Sequence, residues 1–188
     1  AAPQHHAALS ALQDRHAALA PTVRLVRRWF GAQLLLGHVG PETLDLLCAA
    51  VFLTNAHAVP ATGLHGFVRV LTLLAHWDWR EVPLLLPLEN ATRLAHQRKA
   101  ALSDGGGRAL PSERAPTFPA AQRADAEQHF RAMRARDPAY RHYTWVVATE
   151  HDTDAKAWMH AAPSAMVADG VRQLARRAAL AEVARRRH

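Results

Sequence analysis

The sequence lacks the patterns that would cross-link the chain or anchor it in a membrane. Cys48 is the only cysteine, so no disulfide can form within the chain and no cysteine-based zinc site can be built. No apolar run approaches the roughly 20 residues that a membrane-spanning helix needs. The first residues, Ala1-Ala-Pro-Gln-His-His, contain no initiator Met and no signal-peptide pattern. We therefore expect a piece of a longer protein that folds in a reducing compartment.

Lysine is also scarce, and the positive charge is almost entirely arginine. Lys99 and Lys156 are the only lysines, and 23 Lys and Arg residues against 16 Asp and Glu residues give a net charge of +7. Guanidinium groups bind phosphate oxygens in a bidentate manner, so this composition favours a nucleic-acid partner. A GC-rich genome enriches arginine and alanine as well, so charge alone leaves that partner open.

Six segments have the spacing of apolar residues, or the composition, that is typical of helices. They cover about 4–19, 22–36, 41–52, 64–76, 120–136 and 163–188. Pro21 is expected to end or interrupt the first helix, and Thr22 to be the N-cap of the second. Pro41, followed by Glu42, predicts the start of the third helix, because proline suits the first turn and a carboxylate there complements the helix dipole.

Several apolar and aromatic side chains are expected to build the core. Leu34 belongs to the apolar stripe of the second helix, Leu36 widens that stripe, and Cys48 lies on the apolar face of the third helix. Trp77 and Trp79 could stack on bases, but such a pair at a helix end more often belongs to the core and the cap.

Two segments predict strands rather than helices. Val82 to Leu88 is short and interrupted by proline, which indicates an extended or edge-strand segment, and Tyr143 to Thr149 is rich in β-branched and aromatic residues. Helices with two or three short strands, in no βαβ alternation, predict a predominantly helical α+β fold. The expected organisation is a helical core over 1–102, a flexible linker or an omitted segment over 103–119, and a helix-strand-helix remainder of the same domain over 120–188. The last helix could lead into a following domain.

One acidic pair has the spacing of a catalytic metal site. Asp152-Thr-Asp154 follows the second predicted strand, and a DxD pair at such a place holds magnesium in nucleotidyltransferases. Those enzymes also need a Gly-Ser turn upstream and a third carboxylate on a neighbouring strand, and the sequence has neither. A turn or loop-capping role is favoured.

The remaining polar residues form no recognisable catalytic or metal-binding motif. The 13 histidines are scattered without ligand spacing, and Gly105 to Gly107 lacks the Lys-Ser/Thr that completes a phosphate loop. We therefore predict no catalytic residue, no metal site and no cofactor.

Two groups of arginines are the candidate binding residues. The N-terminal cluster is Arg24, Arg27 and Arg28, and the C-terminal cluster is Arg172, Arg176, Arg177, Arg185, Arg186 and Arg187. Either could contact RNA phosphates, and the C-terminal cluster is the stronger candidate, with an acidic protein as another partner for it. The alternative is a solvated helix face whose arginines pair with Asp and Glu.

The order of several motifs resembles the Nrap family of nucleolar RNA-associated proteins, also called the nucleolar protein 6 family. The motifs include Arg24-Leu-Val-Arg-Arg-Trp29, Gly66-Phe-Val-Arg-Val-Leu71, Trp77-Asp-Trp79 and Val146-Val-Ala-Thr149, and the resemblance extends over roughly 15–180. Within that family the chain resembles the second helical domain, which is similar to that of poly(A) polymerase and oligoadenylate synthetase. It departs from the family pattern at Glu150-His151, where a Thr-Pro-type turn is usual, and through the Gly-rich insertion.

The resemblance implies a non-catalytic architectural role in the small-subunit processome, the 90S pre-ribosome. It implies a nucleolar protein that acts in pre-18S rRNA processing and small ribosomal subunit biogenesis. The implied partners are processome assembly factors, pre-18S rRNA and small nucleolar RNA, with no membrane and no small-molecule substrate.

Two other readings stay open. The chain could be the substrate domain of an active template-independent RNA nucleotidyltransferase, or a small helical adaptor unrelated to ribosomes.

Overall fold

The computed structural model describes residues 2–54, 59–103, 116–157 and 162–185, and these form seven helices and two strands. In chain order they are α1 (Ala2–Arg15), α2 (Leu19–Ala32), α3 (Pro41–Leu53), α4 (Gly63–His76), β1 (Leu84–Leu86), α5 (Leu88–Ser103), α6 (Ala120–Arg136), β2 (Val147–Thr149) and α7 (Ala165–Arg185). The predominantly helical α+β fold is confirmed. Most of the predicted 103–119 linker lies outside the described residues, and the division into segments stays a prediction.

Helix α4 lies at the centre of the packing, where it contacts α2, α3 and α7. Helix α3 is the most deeply buried element, and it begins at Pro41 as predicted, with Glu42 in its first turn. Cys48 on this helix is fully buried, which confirms its core position, and burial raises the pKa of its thiol. No helix within the described ranges is long and apolar enough to cross a membrane.

Helices α2 and α4 approach closely where Thr22 meets Gly66. A Cβ added at Gly66 would lie 2.0 Å from the Thr22 hydroxyl oxygen, so only glycine fits there. The prediction that Thr22 caps α2 is wrong, because α2 already begins at Leu19 and the Thr22 hydroxyl donates to the Ala18 carbonyl at 2.7 Å. The prediction that Pro21 ends the first helix is also wrong: α1 already ends at Arg15, and Pro21 lies in the first turn of α2, where no intrahelical N–H donor is needed.

The apolar stripe predicted for α2 is too long at its C-terminal end. The helix stops at Ala32, and Leu34 has a φ of 58° with 86% of its surface exposed. Leu36 is also exposed. Helical periodicity can be counted past the residue where the backbone leaves the helix, which is why the sequence overestimated this stripe.

The two strands form a small parallel sheet. Leu84 pairs with Val147 and Leu86 with Thr149. Leu84, Leu86 and Val147 belong to the main core, while Leu85 and Ala148 pack with Phe130 of α6 on the other face. Strands were predicted in both places, but the second is shorter than Tyr143 to Thr149.

Arg134 explains why that strand starts late. This α6 residue donates from Nε to the Arg80 carbonyl at 3.0 Å, from Nη1 to the Tyr143 carbonyl, and from Nη2 to the carbonyls of Trp79 and Thr144. The carbonyls of Tyr143 and Thr144 therefore accept from a guanidinium. The Arg134 side chain therefore connects three parts of the fold, namely α6, the segment between α4 and β1, and the segment before β2.

The same guanidinium is surrounded by aromatic rings. Its carbon lies 4.5 Å from the ring centroid of Phe130, 5.2 Å from Tyr140 and 5.9 Å from Trp79. This setting partly buries the guanidinium, and burial lowers the pKa of Arg134. An arginine nevertheless stays charged at neutral pH. The positive charge of Arg134 is thus stabilised by the dipoles of the carbonyl groups and by the faces of the aromatic rings.

Asp137 shapes the turn that follows α6. Its carboxylate accepts the backbone N–H groups of Arg141 (2.9 Å), His142 (2.8 Å) and Tyr143 (3.1 Å). Burial acts to raise the pKa of Asp137, but these hydrogen bonds outweigh it, and the pKa lies below its ordinary value. The turn therefore presents the Tyr143 and Thr144 carbonyls to Arg134.

Helix α5 was not predicted from the sequence, and a distant residue caps it. The Glu150 carboxylate, just after β2, accepts the N–H groups of Glu89 at 3.1 Å and Asn90 at 3.2 Å. His151 lies beside Glu89, with 3.4 Å between Nε2 and Oε2. A carboxylate at a helix N-terminus satisfies unpaired N–H groups and the helix dipole. The Glu150-His151 pair, which departs from the family pattern, thus ties β2 to α5.

We expect Arg134→Met to lower the free energy of unfolding by about 2–4 kcal/mol, because it leaves several half-buried carbonyls without a donor while keeping the apolar stem. Urea unfolding measures it. The matched control is Arg131→Met on the exposed face of the same helix, with an expected change within about 0.5 kcal/mol. Equal effects of the two variants would contradict the role of Arg134.

We also expect acid to destabilise the fold through His16. Half-burial against Phe52, with Arg15 beside it, lowers the pKa of His16 from 6.5 to about 4. The unfolded chain takes up this proton at about pH 6.5 and the folded chain only near pH 4. Stability therefore falls as pH decreases between these values, by roughly 1–2 kcal/mol after allowance for solvent screening.

NMR titration of the His16 ring measures its pKa directly, and His16→Gln should flatten the pH dependence of unfolding in that window. The exposed His129→Gln is the matched control, and it should flatten that dependence less than His16→Gln does. A His16 ring that titrates near pH 6.5 would refute the expectation.

Candidate nucleic-acid interface

The C-terminal arginine cluster is partly occupied within the fold. Helix α7 packs along α4, and the Nε atoms of Arg172 and Arg176 lie 3.5 and 3.0 Å from the Ala75 carbonyl near the C-terminal end of α4. Arg172 is also 3.7 Å from the Asp78 carboxylate. The last carbonyls of a helix have no intrahelical partner and carry its negative end, so cations stabilise them. These two arginines therefore have a structural role that the sequence did not indicate.

The rest of this cluster faces solvent. Arg177 is exposed, and Arg185 is exposed beside Glu182 at 3.6 Å, a surface pair that contributes little to stability. Arg186 and Arg187 lie outside the described residues. RNA contact by these four residues stays a prediction.

The N-terminal cluster is divided in the same way. Arg27 forms a two-pronged contact with Asp45 of α3, at 2.8 and 2.9 Å from its two oxygens. Burial raises the pKa of Asp45, and the contact with Arg27 offsets that rise only in part. Arg24 and Arg28 are exposed. The contact of Arg27 with Asp45 thus connects α2 to α3, whereas Arg24 and Arg28 face the solvent.

Among the described members of the two clusters, Arg24, Arg28 and Arg177 remain available, and they are here termed the free arginine set. Their side chains are exposed and form no ion pair with another described residue. They lie on α2 and α7, which both pack against α4. Exposed guanidinium groups can bind phosphate oxygens at no cost to internal contacts.

Arg80 was not singled out from the sequence, and it closes the aromatic cluster next to Arg134. Its guanidinium lies 4.1 Å above the Trp79 ring and 2.6 Å from Asp169 of α7, a hydrogen bond that raises the pKa of Arg80. Trp77 and Trp79 are both buried. Their predicted core position is confirmed, and they offer no open ring for base stacking.

The acidic pair is built into its loop. The two oxygens of Asp152 accept the backbone N–H groups of Lys156 and Ala157, each at 3.1 Å. Asp154 forms an ion pair with Lys156, and this hydrogen bond lowers the pKa of Asp154. The loop-capping role favoured for Asp152 is confirmed. Among the residues that the structure describes, no group of three or more His, Cys, Asp or Glu side chains is arranged to hold a metal ion.

Seven described helices surround a two-stranded parallel sheet, and the class of this domain, PAP/OAS1-like, follows from a sequence profile. The sequence profile described as "Nrap protein PAP/OAS1-like domain 5" matches residues 16–187, and the chain belongs to this family. The resemblance found in the motifs is thereby confirmed.

Named relatives agree with this assignment. U3 small nucleolar RNA-associated protein 22 of Schizosaccharomyces pombe is 29% identical over 182 residues, which cover 96% of this chain and 14% of the relative. The protein of the same name from Saccharomyces cerevisiae is 29% identical over 160 residues, covering 81% of this chain and 13% of the relative. Human nucleolar protein 6 is 38% identical over 91 residues, covering 48% of this chain and 8% of the relative. The chain thus spans a small part of the length of these proteins.

Arg176→Gln should lower the free energy of unfolding by about 1 kcal/mol, because it removes the charged donor to the Ala75 carbonyl. Arg177→Gln on the next position of α7 should change it by less than about 0.5 kcal/mol. Thermal unfolding of both variants at equal salt measures the difference. If Arg177→Gln is the more destabilising, the division between structural and free arginines is wrong.

Proposed function

We propose that this domain is a non-catalytic architectural part of the small-subunit processome, the 90S pre-ribosome, in the nucleolus. It acts there in pre-18S rRNA processing and small ribosomal subunit biogenesis, through contacts with assembly factors and with RNA. The observation that carries the proposal is the family match over residues 16–187, together with relatives whose names place them in the nucleolus or with U3 small nucleolar RNA.

A non-catalytic role is supported by the loop after β2. The two carboxylates with the spacing of a nucleotidyltransferase metal site are engaged within the chain: Asp152 with backbone N–H groups and Asp154 with Lys156. A magnesium ion there would compete with the backbone N–H groups that Asp152 accepts and with Lys156 beside Asp154. These two side chains favour the scaffold over the nucleotidyltransferase reading.

An RNA contact is supported by the free arginine set. Arg24, Arg28 and Arg177 have no internal role that competes with a phosphate, in contrast to Arg27, Arg172 and Arg176. Contacts of this kind are independent of RNA sequence and sensitive to salt, which suits a protein that is placed by its neighbours in a large particle.

The combined variant Arg24→Glu, Arg28→Glu and Arg177→Glu, made in the full-length parent protein, should reduce UV crosslinking to pre-rRNA and incorporation into 90S particles.

A second experiment measures the affinity of the isolated chain for single-stranded RNA at several salt concentrations. Each Arg→Gln change of the free arginine set should make the slope of log affinity against log salt shallower by about 0.7. Gradient sedimentation and fluorescence titration measure these effects.

The control carries the same change of charge at Arg93, Arg136 and Arg141, which are also exposed. It should crosslink and assemble like the unaltered protein. Unchanged crosslinking and incorporation of the first variant would remove RNA contact from the proposal, and equal losses in both variants would show an effect of net charge alone.

A further inference from the structure

The parallel sheet has an open edge along β1. In a parallel ladder alternate residues of a strand bond to the same neighbour, and the Leu84 N–H donates to the Val146 carbonyl at 2.9 Å. The N–H and C=O of Leu85 therefore point to the opposite edge. Among the described residues no strand pairs with that edge. Pro83 and Pro87 flank it, so Leu85 supplies its central backbone donor and acceptor.

A cleft of 550 Å³ runs beside this edge. Residues 81–85 line one side of it, and Arg123, Glu127 and Arg131 of α6 line another. Residues 123–131 extend about 12 Å along α6, which is the length of a short peptide strand, while β1 itself extends about 7 Å and Glu81 lies in the turn before it. The helix therefore offers the longer wall, and β1 offers the backbone groups.

The charges of the cleft identify the class of occupant. Two arginines are balanced by two glutamates, Glu127 and Glu81, so the lining is neutral overall. The side chains of Arg123, Glu127 and Arg131 form no ion pair with another described residue. A polyphosphate backbone would meet both carboxylates, whereas a peptide can place a charge of the right sign opposite each group.

The spacing of these charges sets the pattern of the peptide. Residues four apart on α6 are separated by about 6 Å, and alternate side chains of a β-strand by about 6.7 Å. A strand with acidic, basic and acidic side chains at alternate positions therefore matches Arg123, Glu127 and Arg131 in order. Its backbone can hydrogen bond with Leu85 at the same time.

We propose that the β1 edge binds an extended segment of a protein partner as a third strand, with alternating acidic, basic and acidic side chains against α6. Main-chain hydrogen bonds give such strand addition its affinity, and the facing side chains give its specificity. The proposal rests on the scaffold function above, because it names the kind of partner that the scaffold holds.

The test uses the 188-residue chain and the capped peptide Thr-Glu-Val-Lys-Val-Glu-Thr, with a scrambled peptide of the same composition and net charge. We expect the patterned peptide to bind about tenfold more tightly than the scrambled one. The Leu85 amide signal should shift in the NMR spectrum. Two further peptides carry an N-methyl group on one backbone nitrogen, either at the central Lys or at the adjacent Val. Because only alternate N–H groups of a strand face β1, one of these two peptides should lose binding and the other should keep it.

A charge-swapped variant keeps the proposal testable without altering the strand. Arg123→Glu, Glu127→Lys and Arg131→Glu together should bind Thr-Lys-Val-Glu-Val-Lys-Thr and lose the original peptide. No binding at millimolar peptide, equal binding of patterned and scrambled peptides, or an unchanged preference in this variant would overturn the proposal. Single-stranded RNA that shifts the same amides would also overturn it.

The outcomes separate this proposal from the scaffold function. Peptide binding is measured on the isolated chain, so its failure leaves incorporation into pre-ribosomes unaffected. Loss of the scaffold function would instead appear as a parent protein that never enters those particles, whatever the isolated domain binds.

Discussion

The arrangement of α6 and the two-stranded sheet depends on the guanidinium of Arg134. It donates to four backbone carbonyls of two segments that lie outside the helices and strands, and three aromatic rings lie within 6 Å of it. Carbonyls that are withdrawn from water need hydrogen-bond donors. A single cation supplies them here, where a longer sheet would supply backbone N–H groups. The late start of β2 and the position of α6 over the sheet both follow from this contact.

Arginine serves two purposes in this chain, and only the surroundings separate them. Arg172 and Arg176 reach the carbonyl of Ala75, and Arg27 reaches Asp45, so these guanidinium groups hold helices together. Arg24 and Arg28 lie three residues before and one residue after Arg27 on the same helix, and all three are exposed, yet of the three only Arg27 forms an ion pair within the described residues. A basic composition is therefore a poor measure of the surface available to RNA, because some of the arginines bind carbonyls and carboxylates within the chain.

Two carboxylates that directly follow β2 fix the chain at that end of the small sheet. Glu150, just after β2, caps α5, and Asp152 shapes the next loop. Among the described residues no strand pairs with the outer edge of β1, which lies beside a neutral cleft. Parallel strands of three residues offer little pairing energy of their own, so an added strand would extend the weakest element of the fold.

Local features of the sequence were enough to predict six of the seven helices within the described residues, both strand positions, the start of α3 at Pro41 and the buried Cys48. Apolar periodicity and proline chemistry act between neighbours, so they can be read without the fold. Helix α5, the roles of Arg134 and Glu150, and the division of the arginines depended on the tertiary structure. The partners involved lie far apart in the chain: 55 residues between Arg134 and Trp79, and 61 between Glu150 and Glu89. Only the packing of helices and sheet brings such groups within hydrogen-bonding distance.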